Sequence, residues 1–264
     1  MSISAMGDLQ SWAHIHGAGW SLASKALIVY GGLMALALAI TYFVSLSDAR
    51  TIRDVGIWAK PMKFMAATAL FAWTTVWLTH LASDKVANGS AFTWIALLLI
   101  ITSLFEVVYI TYQASQGAAS HYNTSDPVHA RLFGLMGIAA VGLTASQAWL
   151  AWEIWKVQNS PDIPVVTLSV IVGLVLTFLL ATVSGFLLGG NQPPPGQGLP
   201  IVGWHLHQDI RPSHFLGVHA QQFIPLLGLF AERFLGNWAT PGFGVGTTLY
   251  VVAWAVLTWT GLST

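Results

Sequence analysis

Seven stretches of the chain run for about 20 residues or more with almost no charge: Ser24–Leu46, Met62–Ala82, Ala91–Gln113, Arg131–Trp155, Pro164–Gly189, His214–Leu235 and Phe243–Leu262. A helix needs about 20 apolar residues to cross the hydrocarbon of a bilayer. Lipid offers no partner to backbone amides, so each run must satisfy its own and is predicted to be α-helical. Strands of a membrane barrel would alternate polar and apolar residues, and these runs do not. Only 8% of the residues are charged, against about 25% in soluble domains. The predicted fold is all-α: a polytopic membrane protein of seven transmembrane helices in one bundle, a single domain over residues 1–264, with the lipid bilayer as its main partner.

Residues 1–23 lack the basic start and continuous apolar core of a signal peptide. With Trp12 and Trp20 they read as an interfacial segment. The longest connections are Leu46–Pro61, Ser115–Ala130 and Gly190–Ser213. The last, over 190–213, opens GGNQPPPGQGLP; its prolines and glycines forbid regular helix and predict a shaped loop able to cover a site. The absence of cysteine excludes disulfides, thiolate metal sites and iron–sulfur clusters. A net charge of zero without a basic run argues against nucleic acid.

An odd number of spans puts the chain ends on opposite faces; the N-terminal face is called side A here and the other side B. Side B receives Arg50, Arg53, Lys60, Lys63, Arg131 and Arg211, and side A Lys25, Lys85, Lys156 and Arg233. Cytoplasmic loops are the richer in Lys and Arg, so side B and the C-terminus are expected in the cytoplasm, in a bacterial inner membrane. Trp73, Trp77, Trp94, Trp149, Trp152 and Trp155 fall towards side A, as an interfacial aromatic belt would.

Polar residues inside the runs are the candidates for chemistry, because ionisable groups in a bilayer normally face a partner or a cavity. Glu106, Tyr109 and Gln113 recur at helical spacing and share one face of the third run, near side B. They are the expected general base, proton relay or catalytic residues, with Lys63 as the candidate partner of Glu106. In the stretch Arg211–Phe223, RPSHFLGVHAQQF, two histidines and two glutamines enter an apolar helix. Pro212 suits a first turn, and Ser213 is expected to cap it. His214 and His219 are five apart, about 140° around the helix, so a single ion held by both requires an unwound first turn. His219 and Gln222 share a face. His121, in the loop before Asp126–Pro127, is expected to fold back towards the third and sixth runs. His121, His214 and His219 are the candidate metal or haem ligands; Lys60, Lys63, Arg211 and Gln222 are the candidates to bind a cofactor or anionic substrate. The pair His205 and His207 is a weaker chelate. On side A, His80 with His14 and His16 forms a second constellation, read as plain interfacial histidines.

KPMKF (Lys60–Phe64), EVVYITYQASQGAASHYN (Glu106–Asn123) and RPSHFLGVHAQ (Arg211–Gln221) resemble an uncharacterised family of bacterial multi-pass membrane proteins, over much of the chain. That resemblance implies the bundle and brings no activity. Seven-helix zinc hydrolases place a histidine pair in the seventh helix, and retinal proteins a lysine; the seventh run has neither. Three readings follow. The first is a redox protein carrying haem b or a His-ligated iron, copper or zinc ion. The second is a metal-dependent hydrolase of a lipid-like or small-molecule substrate. The third is a proton-coupled transporter or sensor using Glu106 and His219. Oligomeric state is not legible.

Overall fold

The computed structural model describes residues 19–159, 162–190, 194–199 and 203–263. His14, His16 and Trp12 lie outside the described residues. Seven long helices account for most of the described chain: α1 (Leu22–Ser47), α2 (Ala59–Ala82), α3 (Ser90–Ser115), α4 (Pro127–Lys156), α5 (Val165–Gly189), α6 (Arg211–Phe234) and α7 (Ala239–Leu262). All except α6 are long and apolar enough to cross a membrane, which makes six candidate spans. The protein is thus a helical, multi-pass membrane protein, and the seventh predicted span falls short by composition. The shortfall is local: α6 carries His214, His219, Gln221, Gln222, Glu232 and Arg233.

Six of the seven helices start one to four residues earlier than the apolar runs, because the first turn of a helix tolerates polar residues and proline, while α5 starts one residue later with Pro164 as its cap. Helix α4 starts at Pro127, capped by Asp126, whose Oδ1 accepts from the backbone of Val128 (2.8 Å) and His129 (3.0 Å). The predicted cap of α6 is not used. Ser213 sits inside the first turn and donates to the carbonyl of Ile210 (2.9 Å), while Asp209 takes the backbone N–H of Arg211 (3.1 Å).

Helix α2 is the hub, in contact with α1, α3, α4, α5 and α6. Leu27, Leu78, Phe92, Ile95, Leu99, Leu150, Ile154 and Leu174 close the apolar core around it. Helices α5 and α6 share the most extensive interface, and small residues set its spacing. A Cβ on Gly217 would stand 2.8 Å from the backbone of Ala181, and one on Gly228 would stand 2.3 Å from Cβ of Ser169. The pair runs antiparallel from end to end. His214 meets Ser184 at one end, Pro225 packs on Gly173 in the middle, and Glu232 accepts from the backbone of Val166 at the other.

Side B is organised by two small hairpins. β1 (Thr51–Ile52) and β2 (Val55–Gly56) are joined by Arg53 and Asp54, both with positive φ (52° and 61°). That is the backbone of a two-residue primed turn, whose twist matches the flanking strands. β3 (Gly198–Leu199) pairs with β4 (Gly203–Trp204). The hairpins dock: Gly198 donates its N–H to the carbonyl of Arg53 (2.7 Å), Trp204 donates its indole N–H to that of Ile52 (3.1 Å), and the Arg53 guanidinium lies over the Trp204 ring. The proline–glycine loop therefore folds across the α1–α2 connection. Of the predicted side A belt, Trp73, Trp94, Trp149, Trp152 and Trp155 are exposed, while Trp77 is half-buried against the apolar core.

Candidate functional site

Burial on α3 follows the predicted spacing. Glu106 and Tyr109 are each 7% exposed and Gln113 is 3% exposed. The carboxyl of Glu106 makes no hydrogen bond, and no ion pair within 4.0 Å, among the described residues. The charge acting on it is Lys60, not the expected Lys63. Because α2 begins at Ala59, Lys60 and Phe64 stack one turn apart on the inner side, and the Lys60 ammonium lies 5.9 Å from the Phe64 ring centroid. Lys63 is rotated to the exposed face, where it feels Arg211.

Two residues unmarked in the sequence reading complete this pocket. Tyr30 of α1 and Ser103 of α3 share a buried hydrogen bond of 2.8 Å, and Tyr30 is near enough to feel the charge of Glu106. The signal for Ser103 was present: it stands three residues before Glu106 and extends the same helical face backwards. Tyr30 carried none, since a tyrosine in an apolar run reads as ordinary core.

His121 does fold back, though onto α2 and α4, not the expected third and sixth helices. Its ring lies 6.1 Å from that of Phe64 and 5.7 Å from that of Phe133. Nδ1 meets the Ser120 hydroxyl at 3.2 Å, and Nε2 has no hydrogen-bond partner among the described residues. The next residue, Tyr122, has a left-handed backbone (φ 56°) and donates its hydroxyl to the carbonyl of Leu188. That contact turns the loop inward and aims His121 at the bundle. Burial, reinforced by the Lys60 charge, holds the His121 imidazole well below its usual pKa of 6.5. The unfolded chain takes up this proton as pH falls through about 6.5, and the folded chain does not. Folding stability is therefore expected to fall as pH drops below about 6.5. His121→Leu should make that part of a melting-temperature–pH curve shallower; Asp126 and Asp209, whose carboxyls are held down by His129 and Arg211 respectively, add a further loss at lower pH.

The histidines of α6 point elsewhere. The Ser184 hydroxyl donates to the carbonyl of Leu180 (2.6 Å), so its oxygen accepts from Nδ1–H of His214 (3.0 Å), and Nε2 is left as an acceptor. His219 donates from Nδ1 to Oε1 of Gln222 (3.3 Å), and Gln222 donates from Nε2 to Thr74 of α2 (3.2 Å). His219 and Gln222 share a face, as their spacing predicts. The first turn of α6 is regular helix, so the unwinding that a shared ion requires is not there. Arg211 forks onto Asp209, with Nε to Oδ1 at 2.7 Å and Nη2 to Oδ2. That pairing offsets the charge expected to hold an anion. His205 and His207 are both exposed on side B. On side A, His80 uses both nitrogens structurally, Nε2 with Ser24 (3.1 Å) and Nδ1 with Asp84 (2.8 Å).

Among the described residues, no three His, Asp or Glu side chains gather as a metal site would require. Among the described residues, His121, His214 and His219 do not come together as one three-ligand metal centre. Comparison with protein-family models, curated proteins and solved structures found no match. What remains is a buried carboxyl, Glu106, under the charge of half-buried Lys60, with His121 close to that charge at the side B end of the hub helix.

Proposed function

We propose that this protein moves or senses protons across the bilayer through Glu106, with Lys60 and His121 forming the side B end of the path. One observation carries the reading: a carboxyl inside a membrane helix that has no bonded partner, faces a lysine charge, and lies on the buried face of α3. A purely structural carboxyl in lipid would be expected to close onto its cation, because an unpaired charge there costs several kcal/mol. A carboxyl that feels a cation without being bonded to it is free to exchange a proton. The Tyr30–Ser103 pair would continue the path inward, and His121 would connect it to side B. The reading of a three-histidine metal site, as redox centre or hydrolase, has no such cluster among the described residues to support it, so it ranks below this one.

The test is proton movement in liposomes containing the purified protein, followed with an internal pH-sensitive dye under an imposed pH gradient. Wild-type protein should dissipate the gradient and Glu106→Gln should not. Equal rates for the two would overturn the reading.

The same reading requires seven spans. If α5 crosses the bilayer, α6 must too, since the two are packed antiparallel along their full length. The outward side of α6 is also apolar, with Phe215, Phe223, Leu226, Phe230 and Phe234 exposed. A helix with its polar side in and its greasy side out is built for lipid, whatever its average hydropathy. Because the chain has no cysteine, single cysteines are clean topology reporters. Gly19→Cys and Ser263→Cys should label from opposite sides of the membrane, Ser263→Cys from the cytoplasm; labelling from one side would mean six spans.

A further inference from the structure

Gln221 stands ten residues into α6, about 15 Å from its side B end and so near the middle of a core about 30 Å thick. Its side chain is fully buried, yet neither Oε1 nor Nε2 has a hydrogen-bond partner among the described residues. A third polar group joins them. Pro225 lies four residues on and has no N–H, so the backbone carbonyl of Gln221 loses its intrahelical donor. An amide nitrogen and two carbonyl oxygens thus meet at one residue, in the part of the protein where unpaired polar groups cost most.

The surroundings narrow what pairs with these groups. Gln221 lies on the same helix face as Gly217 and Pro225, which touch Ala181 and Gly173 of α5. Its own backbone N–H is held by the Thr177 hydroxyl (2.8 Å), which donates in turn to the carbonyl of Gly173 (2.9 Å) and keeps one acceptor position on its oxygen. The seam leaves no room for a bulky guest: a Cβ on Gly173 would stand 2.9 Å from the Pro225 ring. An ion does not match the groups. A cation would leave Nε2 unpaired and an anion would leave the oxygens unpaired. The one acidic side chain on α5 or α6, Glu232, sits at the far end of α6.

We propose that Gln221 binds internal water at the middle of the bundle, hydrogen-bonded to its side-chain amide, to its own carbonyl and to the Thr177 oxygen. Water is small, neutral, and able to accept from Nε2 while donating to the oxygens. Buried waters make about three such bonds each, to groups that the protein leaves over. The site borders the other polar line of α6. The next residue, Gln222, joins His219 to Thr74 of α2, and Thr75 meets Gln147 of α4 at 3.4 Å. The two glutamines of α6 thus divide: Gln222 serves the protein's own side chains, and Gln221 serves water. The site is separate from the Glu106 pocket, and the inference does not depend on Glu106 carrying protons.

The experiment is hydroxyl-radical footprinting of the full-length protein in liposomes, with radicals made in place by X-ray radiolysis of water. A buried side chain is oxidised only where water touches it. Ile224 and Pro225, both buried close to Gln221, should be oxidised well above Ile95 and Leu99, which are fully buried in the apolar core. Gln221→Leu should bring that signal down to the Ile95 level. It should also lower the thermal midpoint, because the freed carbonyl and Thr177 lose their water. Pro225→Ala returns an N–H to the Gln221 carbonyl and leaves the amide in place. It should keep the fold and weaken the Ile224 signal. Wild-type oxidation of Ile224 and Pro225 no higher than that of Ile95 would overturn the site. So would a signal that survives Gln221→Leu, which would report opening of the seam, or a midpoint that rises in Gln221→Leu, which would mark a dry, unpaired amide. Glu106→Gln should label like wild type, so failure here is separable from failure of the proton reading.

Discussion

Glu106→Gln should leave the protein folded and cut dye-detected proton flux by at least about tenfold, the loss expected when one positioned proton-transfer group is removed. Glutamine keeps the shape of glutamate and discards both its proton chemistry and its charge. Burying a carboxylate in a bilayer is unfavourable, so the substitution is expected to be neutral or stabilising. The thermal midpoint in detergent should therefore hold or rise while flux falls. That split marks function, because a structural carboxyl would give the reverse: a lower midpoint with flux unchanged. Lys60→Met supplies the second arm. It removes the charge acting on Glu106 and leaves an uncompensated buried carboxyl, so it should destabilise. Adding Glu106→Gln to it should restore part of the loss. A double-mutant cycle should show coupling of about 1–3 kcal/mol. Zero coupling would mean that the two do not share a pocket.

Gly217→Leu is the substitution expected to damage the fold most. The atoms that its Cβ would meet are the backbone of Leu180 and Ala181 at 2.8 Å, and backbone cannot swing aside as a side chain does. Helices α5 and α6 would have to separate. The seam they share has little else to hold it in lipid, where association depends on close packing and a few hydrogen bonds and not on a hydrophobic drive. Separation would also strain the bond from the Gln221 N–H to Thr177 (2.8 Å) and that from His214 to Ser184 (3.0 Å). A cost of about 3 kcal/mol follows from overpacking alone, enough for a large fall in thermal midpoint or loss of the purified protein. Gly32→Leu is the control: no atom lies within 4 Å of its Cβ position, and it should behave as wild type. If both melt alike, the α5–α6 seam is not what spaces the bundle.

The helices were legible because lipid imposes a one-dimensional rule. Where the backbone has no outside partner, about 20 apolar residues mean one helix, and no tertiary information is needed. Asp126–Pro127 was legible for a similar reason, since a cap acts within three residues. The common face of Glu106, Tyr109 and Gln113, and that of His219 and Gln222, follow from helical pitch alone.

Matters of azimuth and loop path needed the third dimension. Whether Lys60 or Lys63 turns towards Glu106 depends on how α2 is rotated in its seat among five neighbours, and the two lysines differ by less than a turn. Where His121 lands depends on the left-handed backbone at Tyr122 and on the carbonyl of Leu188, 66 residues away. The histidines of α6 looked like ligands because polar groups in a greasy helix demand partners; the fold supplies those partners as Ser184, Gln222 and Thr74. Sequence alone thus determined where the long helices lie and which residues share a helix face, because both are local consequences of pitch and solvent. Tertiary structure decided which of those faces meet, because that depends on helix rotation and packing between segments far apart in the chain.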